Sequence, residues 1–236
     1  MITFERACVV AQTSDGADGR PGEVTILHPV SCVLTERRVA VIGANGSGKS
    51  TLARLVNGLA TPSSGRVVVD GMDSVRDGAA VRRRVGFVFT DPDAQLVMPT
   101  PREDVALSLR RLPLGRAERD GRVSDVLSRF GLAGRAEVSV HALSGGQKQL
   151  LALAGVLATE PSVLVCDEPT TLLDLRWRRV VDDLLGSLDQ QVLQVTHDLD
   201  AAARADRVLV VDAGRVVFDG AAAEGVARYR DLMAPR

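Results

Sequence analysis

Gly43-Ala44-Asn45-Gly46-Ser47-Gly48-Lys49-Ser50 decides how this chain is read. The run fits GxxxxGK[ST]. An apolar stretch, Val39 to Ile42, precedes it, and a helical pattern from Ser50 to Leu59 follows. Strand, Gly-rich turn and helix in that order are the setting in which this motif holds phosphate. Gly43, Gly46 and Gly48 let backbone N–H groups curl around an anion without Cβ clashes, and Ala44, Asn45 and Ser47 complete the curl. The helix that follows points its positive end at the same place. Lys49 is expected to reach the terminal phosphates and the Ser50 hydroxyl a Mg²⁺ ion, with Thr51 beside them. The plainer reading is a flexible turn without a ligand. Composition argues against it: Lys and Arg total 29, yet Lys49 and Lys148 are the only lysines. A lysine kept among so many arginines is one that is needed as a lysine.

A second site of phosphate chemistry lies downstream. Val163-Leu164-Val165-Cys166-Asp167-Glu168-Pro169 reads as a buried strand ending in two acids. Asp167 is placed to hold Mg²⁺, and Glu168 to polarise an attacking water. His197 follows the apolar run Val192 to Thr196, beyond a strand end where α/β proteins bind ligands. It is read as a partner of the transferred phosphate and the water.

Around these motifs, strand-like runs alternate with helical stretches. Val67–Val69, Val85–Phe89, Val163–Cys166, Val192–Thr196 and Val208–Val211 are nearly continuous apolar runs, as in central strands covered on both faces. The fold class is α/β with a mainly parallel sheet. Residues 91–158 break the pattern. Val105, Leu109 and Leu112 share one helical face, and Val123, Val126, Leu127 and Phe130 another. This stretch is expected to be a helical subdomain inserted in one domain that spans 1–236. Ser14 to Gly22 reads as an exposed loop, and Asp212-Ala213-Gly214 as a hairpin turn.

Composition removes several classes of function. The 236 residues carry a net charge of −1, with 45% hydrophobic and 25% charged residues. That balance offers no electrostatic footprint for nucleic acid. No apolar run approaches the ~18 residues of a membrane span. The first ten residues lack the basic-then-apolar pattern of a secretory signal. A soluble, cytoplasmic protein is expected. Cys8, Cys32 and Cys166 lack metal-binding spacing and are read as small buried apolar side chains.

Leu143-Ser144-Gly145-Gly146-Gln147 opens a helix running to about Ala158, with Ser144 as a good N-cap. It is a second anion site, and one nucleotide cannot occupy both. With this motif between the phosphate loop and the acidic strand end, the chain resembles the ABC ATPases over almost its whole length. The resemblance implies a P-loop NTPase core with an inserted helical subdomain, the cofactors ATP and Mg²⁺, and hydrolysis of ATP. It also implies a head-to-tail dimer, in which Ser144, Gly145, Gly146 and Gln147 act in trans on ATP held by the other copy. Asp174, in Thr171-Leu172-Leu173-Asp174, matches the loop that communicates across that dimer. Transmembrane transporter subunits are the implied partners, and the cytoplasmic face of the membrane the implied place.

Two positions depart from the family pattern. The strand-end loop Val88-Phe89-Thr90-Asp91-Pro92-Asp93-Ala94-Gln95 carries Thr90 where most relatives have the Gln that reaches Mg²⁺. The aromatic that stacks on adenine aligns with Ala11, and no aromatic lies between Phe4 and Phe87. The segment 85–100 is similar to energy-coupling-factor ATPases, with Thr90 most like the biotin-uptake branch; cobalt or nickel uptake is the alternative cargo. A DNA-repair ATPase would need a long coiled coil between the motifs, and a P-loop kinase would lack LSGGQ. A non-catalytic cassette tends to lose Glu168 and His197. The inserted helical lobe, with the Thr90–Pro101 loop and its Leu96, Val97 and Met98 at the root, is the expected docking surface for a membrane partner's helix; the plainer reading is that these three pack the lobe against the core.

Overall fold

A computed structural model describes residues 1–13 and 22–234. Two strands open the chain, β1 (Ile2–Thr13) and β2 (Gly22–Leu34), followed by β3 (Arg38–Ile42) and helix α1 (Lys49–Val56). Next come β4 (Ser64–Val69), β5 (Met72–Asp73), α2 (Gly78–Arg84) and β6 (Val85–Val88). Three helices then intervene before the sheet resumes: α3 (Pro101–Ser108), α4 (Arg116–Arg129) and α5 (Gly145–Leu157). The chain returns through β7 (Val163–Asp167), α6 (Leu175–Ser187), β8 (Gln191–Val195) and α7 (Leu199–Ala203). It ends with the hairpin β9 (Arg207–Asp212) and β10 (Arg215–Gly220), then α8 (Ala222–Met233).

The strands form two sheets. One runs β10-β9-β3-β8-β7-β6, parallel throughout except for the antiparallel edge strand β10. The other, β2-β1-β4-β5, is antiparallel. One core fills the space between the sheets around α1, with Ile2, Phe4, Leu52, Val41 and Val195 all buried. A second joins the inserted helices to the opposite face of the parallel sheet, through Leu127, Leu151, Leu164, Cys166 and Val192. The parallel strands need cover on both faces, and these two cores supply it.

Several local expectations shift. The helix read as Ser50 to Leu59 ends at Val56, because Gly58 takes a left-handed φ of +71° and stops it. The face Val105, Leu109, Leu112 is not one helix: α3 stops at Ser108 and a 3₁₀ turn covers Leu109–Arg111. Pro113 pushes the preceding Leu112 into extended backbone. Strand β6 is one residue shorter than Val85–Phe89. The hairpin at 212–214 is present, with Ala213 and Gly214 both left-handed. Cys8 and Cys166 are buried, but Cys32 is only half-buried, since β2 is an edge strand of its sheet. Burial raises the Cys32 thiol to about 11, helped by the Asp219 charge. The expected loop Ser14 to Gly22 lies outside the described residues except for Gly22, which begins β2.

Candidate active site

The phosphate loop is held from behind. A Cβ on Gly43 would overlap the main-chain carbonyl oxygen of Val211 on β9, so only glycine lets β3 turn into the loop here. Gly48 caps α1 in a left-handed conformation with φ of 102°. Asn45 and Gly46 are exposed, Ala44, Ser50 and Thr51 half-buried, and Ser47 and Lys49 buried at 5% exposure each. The Lys49 ammonium donates to the carbonyls of Gly43 at 2.9 Å and Ala44 at 2.8 Å. Burial pulls it below the ordinary lysine range, while the carboxylates of Glu168 and Asp167 oppose that pull. The Ser47 hydroxyl is buried with no partner.

Strands β3, β7 and β8 end side by side and bring the distant motifs to this loop. The Ser50 hydroxyl donates to Asp167 Oδ1 at 2.7 Å, and Arg54 on α1 reaches Asp167 Oδ2 at 3.4 Å. Thr90, just past β6, donates its hydroxyl to the main-chain carbonyl of Asp167 at 2.7 Å. Glu168 has a left-handed φ of 55°, a conformation that costs a non-glycine residue ~1–3 kcal/mol and concentrates at functional sites. Its Oε2 accepts from the Thr171 hydroxyl at 2.9 Å and lies 2.5 Å from His197 Nδ1. Ser50 and Asp167 offer hard oxygen donors of the kind Mg²⁺ takes, with phosphate and water to complete the shell.

The remaining motif residues stand elsewhere. Ser144 and Gln147 close a capping box at the start of α5: Ser144 Oγ accepts from the Gln147 N–H, and the Gln147 side chain accepts from the Ser144 N–H. Ser144 and Gly145 are exposed. A Cβ on Gly146 would overlap the Trp177 ring, which brings α6 tightly against the start of α5. Asp174 caps α6, accepting from the Trp177 N–H at 2.9 Å. Among the described residues, no hydrogen bond or ion pair joins 144–147 to the phosphate loop. Lys148 does not offer free charge beside the motif: it pairs with Asp93 at 2.7 Å.

Sequence reasoning left Gln95 without a place. Its Oε1 accepts from the Phe89 N–H at 3.2 Å and its Nε2 donates to the Ala152 carbonyl at 3.2 Å, tying the strand-end loop to α5. Asp104, buried, accepts from the N–H groups of Val97 and Met98 and fixes the loop tip. Arg54 was not singled out at all. Its only sequence signal is its place one helical turn beyond Ser50.

A phosphate loop, an acidic strand end with a histidine beside it, and an inserted helical subdomain bearing LSGGQ together define a nucleotide-hydrolysing cassette. Residues 27–171 match the family described as ABC transporter. The chain is 49% identical over 216 residues to a putative ABC transporter ATP-binding protein of Deinococcus radiodurans, covering 92% of this chain and 94% of that one. It is 45% identical to the biotin transport ATP-binding protein BioM of Rhizobium etli, covering 90% and 95%. Among solved structures, cbiO1 of Clostridium perfringens, part of the ABC transporter complex cbiONQ, matches with a TM-score of 0.79 and 32% identity, over 100% of this chain and 96% of that one. A dimeric, post-hydrolysis ATP-binding cassette bound to ADP and Pi matches at 0.81 and 28%, over 94% and 99%. This chain belongs to the ABC transporter family. It is an ATP-hydrolysing cassette of that family, and among the described residues no helix is long and apolar enough to cross a membrane.

Proposed function

We propose that two copies of this chain close head to tail on two ATP molecules, and that the closure drives an energy-coupling-factor importer for biotin. The convergence of Lys49, Ser50, Asp167, Glu168 and His197 on one loop carries the hydrolytic reading. Lys49 exchanges the carbonyls of Gly43 and Ala44 for phosphate oxygens, and Ser47 gains the partner it lacks. Ser50 and Asp167 hold Mg²⁺, which supplies positive charge to the phosphates. Glu168, oriented by Thr171 and His197, takes a proton from the attacking water. Thr90 acts through the Asp167 backbone, in place of a longer side chain reaching the ion.

Two features support the dimer. Leu172 and Leu175, either side of Asp174, are 65% and 66% exposed, an apolar rim around a loop already shaped by its cap. Ser144, Gly145 and Gly146 begin a helix whose N–H groups have no phosphate in their own copy. In the closed dimer Ser144, Gly146 and Gln147 meet the partner's ATP, and Asp174 faces its counterpart loop.

The strand-end loop supports docking to a membrane partner. Asp93, Leu96, Val97, Met98, Val140 and His141 line a groove of about 430 Å³, and Val97 is 67% exposed. An amphipathic cytoplasmic helix of a membrane subunit fits such a groove. The protein then sits peripherally on the cytoplasmic face. Biotin as cargo follows the 45% identity to the Rhizobium etli protein. The test is deletion of the gene and uptake of labelled biotin, cobalt and nickel at nanomolar supply. Loss of biotin uptake alone is the expected result. Loss of metal uptake with biotin unaffected overturns the cargo and leaves the ATPase reading in place.

A further inference from the structure

The two glycines that open α5 meet different surroundings. Gly145 is exposed, and a Cβ added there meets nothing within 4 Å. Gly146 is buried, and a Cβ there would land on Cγ, Cδ1 and Cδ2 of the Trp177 indole. The five-membered ring of the only tryptophan in the chain thus lies directly against the Gly146 main chain. Trp177 is half-buried and also packs on the core that holds Leu143, Leu173 and Val181. A smaller side chain at 177 would leave the start of α5 unsupported on this side.

The same turn of α6 fixes the loop around Asp174. The Trp177 N–H donates to Asp174 Oδ1 at 2.9 Å, and Arg178 Nε donates to the Leu173 carbonyl at 2.9 Å. Leu173 is buried, while Leu172, Asp174 and Leu175 around it are exposed. One edge of this turn therefore holds the Asp174 loop and the other holds the start of α5. The bond to Asp174 is a main-chain bond and survives substitution at 177, and the capping box of Ser144 and Gln147 is likewise independent of the ring. Removing the indole separates the two elements without unmaking either. Among the described residues, neither Trp177 nor Gly146 hydrogen-bonds to the phosphate loop, so ATP held by a copy's own loop does not sense the ring.

We propose that Trp177 is a positioning residue: its indole locks LSGGQ to the Asp174 loop, and the two reach the partner copy in one fixed register. The inference rests on the head-to-tail dimer and assigns its register to one side chain. Order established on folding need not be imposed at association, which favours closure. A misplacement of about 1 Å far from the chemistry can cost ~10²-fold in rate.

The test is ATP-driven dimerisation of Glu168→Gln, followed by size-exclusion chromatography across an ATP titration. Adding Trp177→Ala is expected to raise the ATP concentration for half-dimerisation by about tenfold or more. Trp177→Phe, which keeps a ring over Gly146, raises it by only about twofold to threefold. In Ser144→Arg, which cannot close, adding Trp177→Ala leaves ATP affinity within about twofold, as expected for a phosphate loop the ring does not touch. Circular dichroism checks each fold. An unchanged midpoint with Trp177→Ala overturns the proposal; if that variant does not fold, an unchanged midpoint with Trp177→Phe does so. An equal loss of ATP affinity in Ser144→Arg also overturns it, as the mark of a ring that serves stability alone. Failure of Glu168→Gln itself to dimerise overturns the head-to-tail reading and this inference with it, whereas a dimer indifferent to the ring overturns the inference alone.

Discussion

His197 Nδ1 lies 2.5 Å from Glu168 Oε2, across the gap between the ends of two adjacent parallel strands. The carboxylate is thereby held by a side chain that itself faces solvent, with His197 48% exposed and Glu168 15%. Read as one catalytic unit, the pair sets the first expectation. Glu168→Gln lowers the hydrolysis rate by ~10²–10⁴-fold while ATP still binds. His197→Ala lowers it too, and adding it to Glu168→Gln costs little more, because neither works alone. Steady-state phosphate release beside filter binding of ATP measures this; turnover of Glu168→Gln within twofold of the unaltered protein removes Glu168 from the role.

Assembly in trans has its own signature. Lys49→Ala and Ser144→Arg subunits are each inactive, and an equal mixture regains part of the hydrolysis. One composite site then joins an intact phosphate loop to an intact signature. A well-folded mixture with no activity contradicts the head-to-tail arrangement or means that both sites must fire.

Base recognition is expected to be weak. Ala11 pairs across the strands with Val24, which is 51% exposed, so an aliphatic surface stands where an aromatic ring would stack. The isolated subunit should discriminate ATP from GTP by less than about tenfold. Ala11→Tyr should tighten ATP binding by roughly threefold to tenfold, the value of one aromatic contact of ~0.5–1.5 kcal/mol. Calorimetric titration checks both, and a hundredfold ATP preference in the unaltered chain places the adenine elsewhere.

Gln95 is expected to hold the lobe to the core. Gln95→Leu leaves the Phe89 N–H without its partner, removes the side-chain donor to the Ala152 carbonyl and costs about 1–3 kcal/mol of unfolding free energy. Lys148→Ala costs less, because the Asp93 partner is 57% exposed and screened. Denaturant unfolding ranks the two; the reverse order makes the ion pair the principal tie.

Acid should loosen the antiparallel sheet first. N–H groups of Arg76 and Val75 hold the Asp73 carboxyl below the ordinary aspartate range, against its burial. A folded value below the unfolded ~3.9 means stability that is present above pH ~4 and lost as pH falls through the folded value. Asp73→Asn should therefore flatten the loss of stability between about pH 5 and 3, read from thermal midpoints across that window. An unchanged slope assigns the acid sensitivity to other carboxylates.

The central strands and the site were legible because their signals are local. The apolar runs beside Gly43 and Asp167 need only length and composition to be read, and the capping box at Ser144 is written in four residues. Of the N-terminal sheet only Val67–Val69 was read, and as a central strand; it is the end of β4 in the antiparallel sheet. β1 starts in alternation, with Ile2 and Phe4 buried, but Arg6 takes a left-handed φ of 51° and the register slips, so that Ala7 and Cys8 are both buried. A bulge erases the period on which a strand reading depends. Gln95 and Arg54 were obscure for another reason. Their partners, Ala152 and Asp167, lie 57 and 113 positions away, and no local pattern records such contacts.

The strand order has a consequence in time. The antiparallel sheet draws only on residues up to Asp73, so it can form while the chain is still being made. The strand that carries the phosphate loop cannot. Arg38 pairs with Val192 and Val39 with Arg207, and both partners come late in the chain. Until then β3 presents two bare hydrogen-bonding edges and an apolar surface, in a topology whose non-local pairings close slowly. A ribosome stalled before Val192 would thus hold a chain whose first sheet is paired but uncovered on its inner face and whose apolar β3 is unpaired.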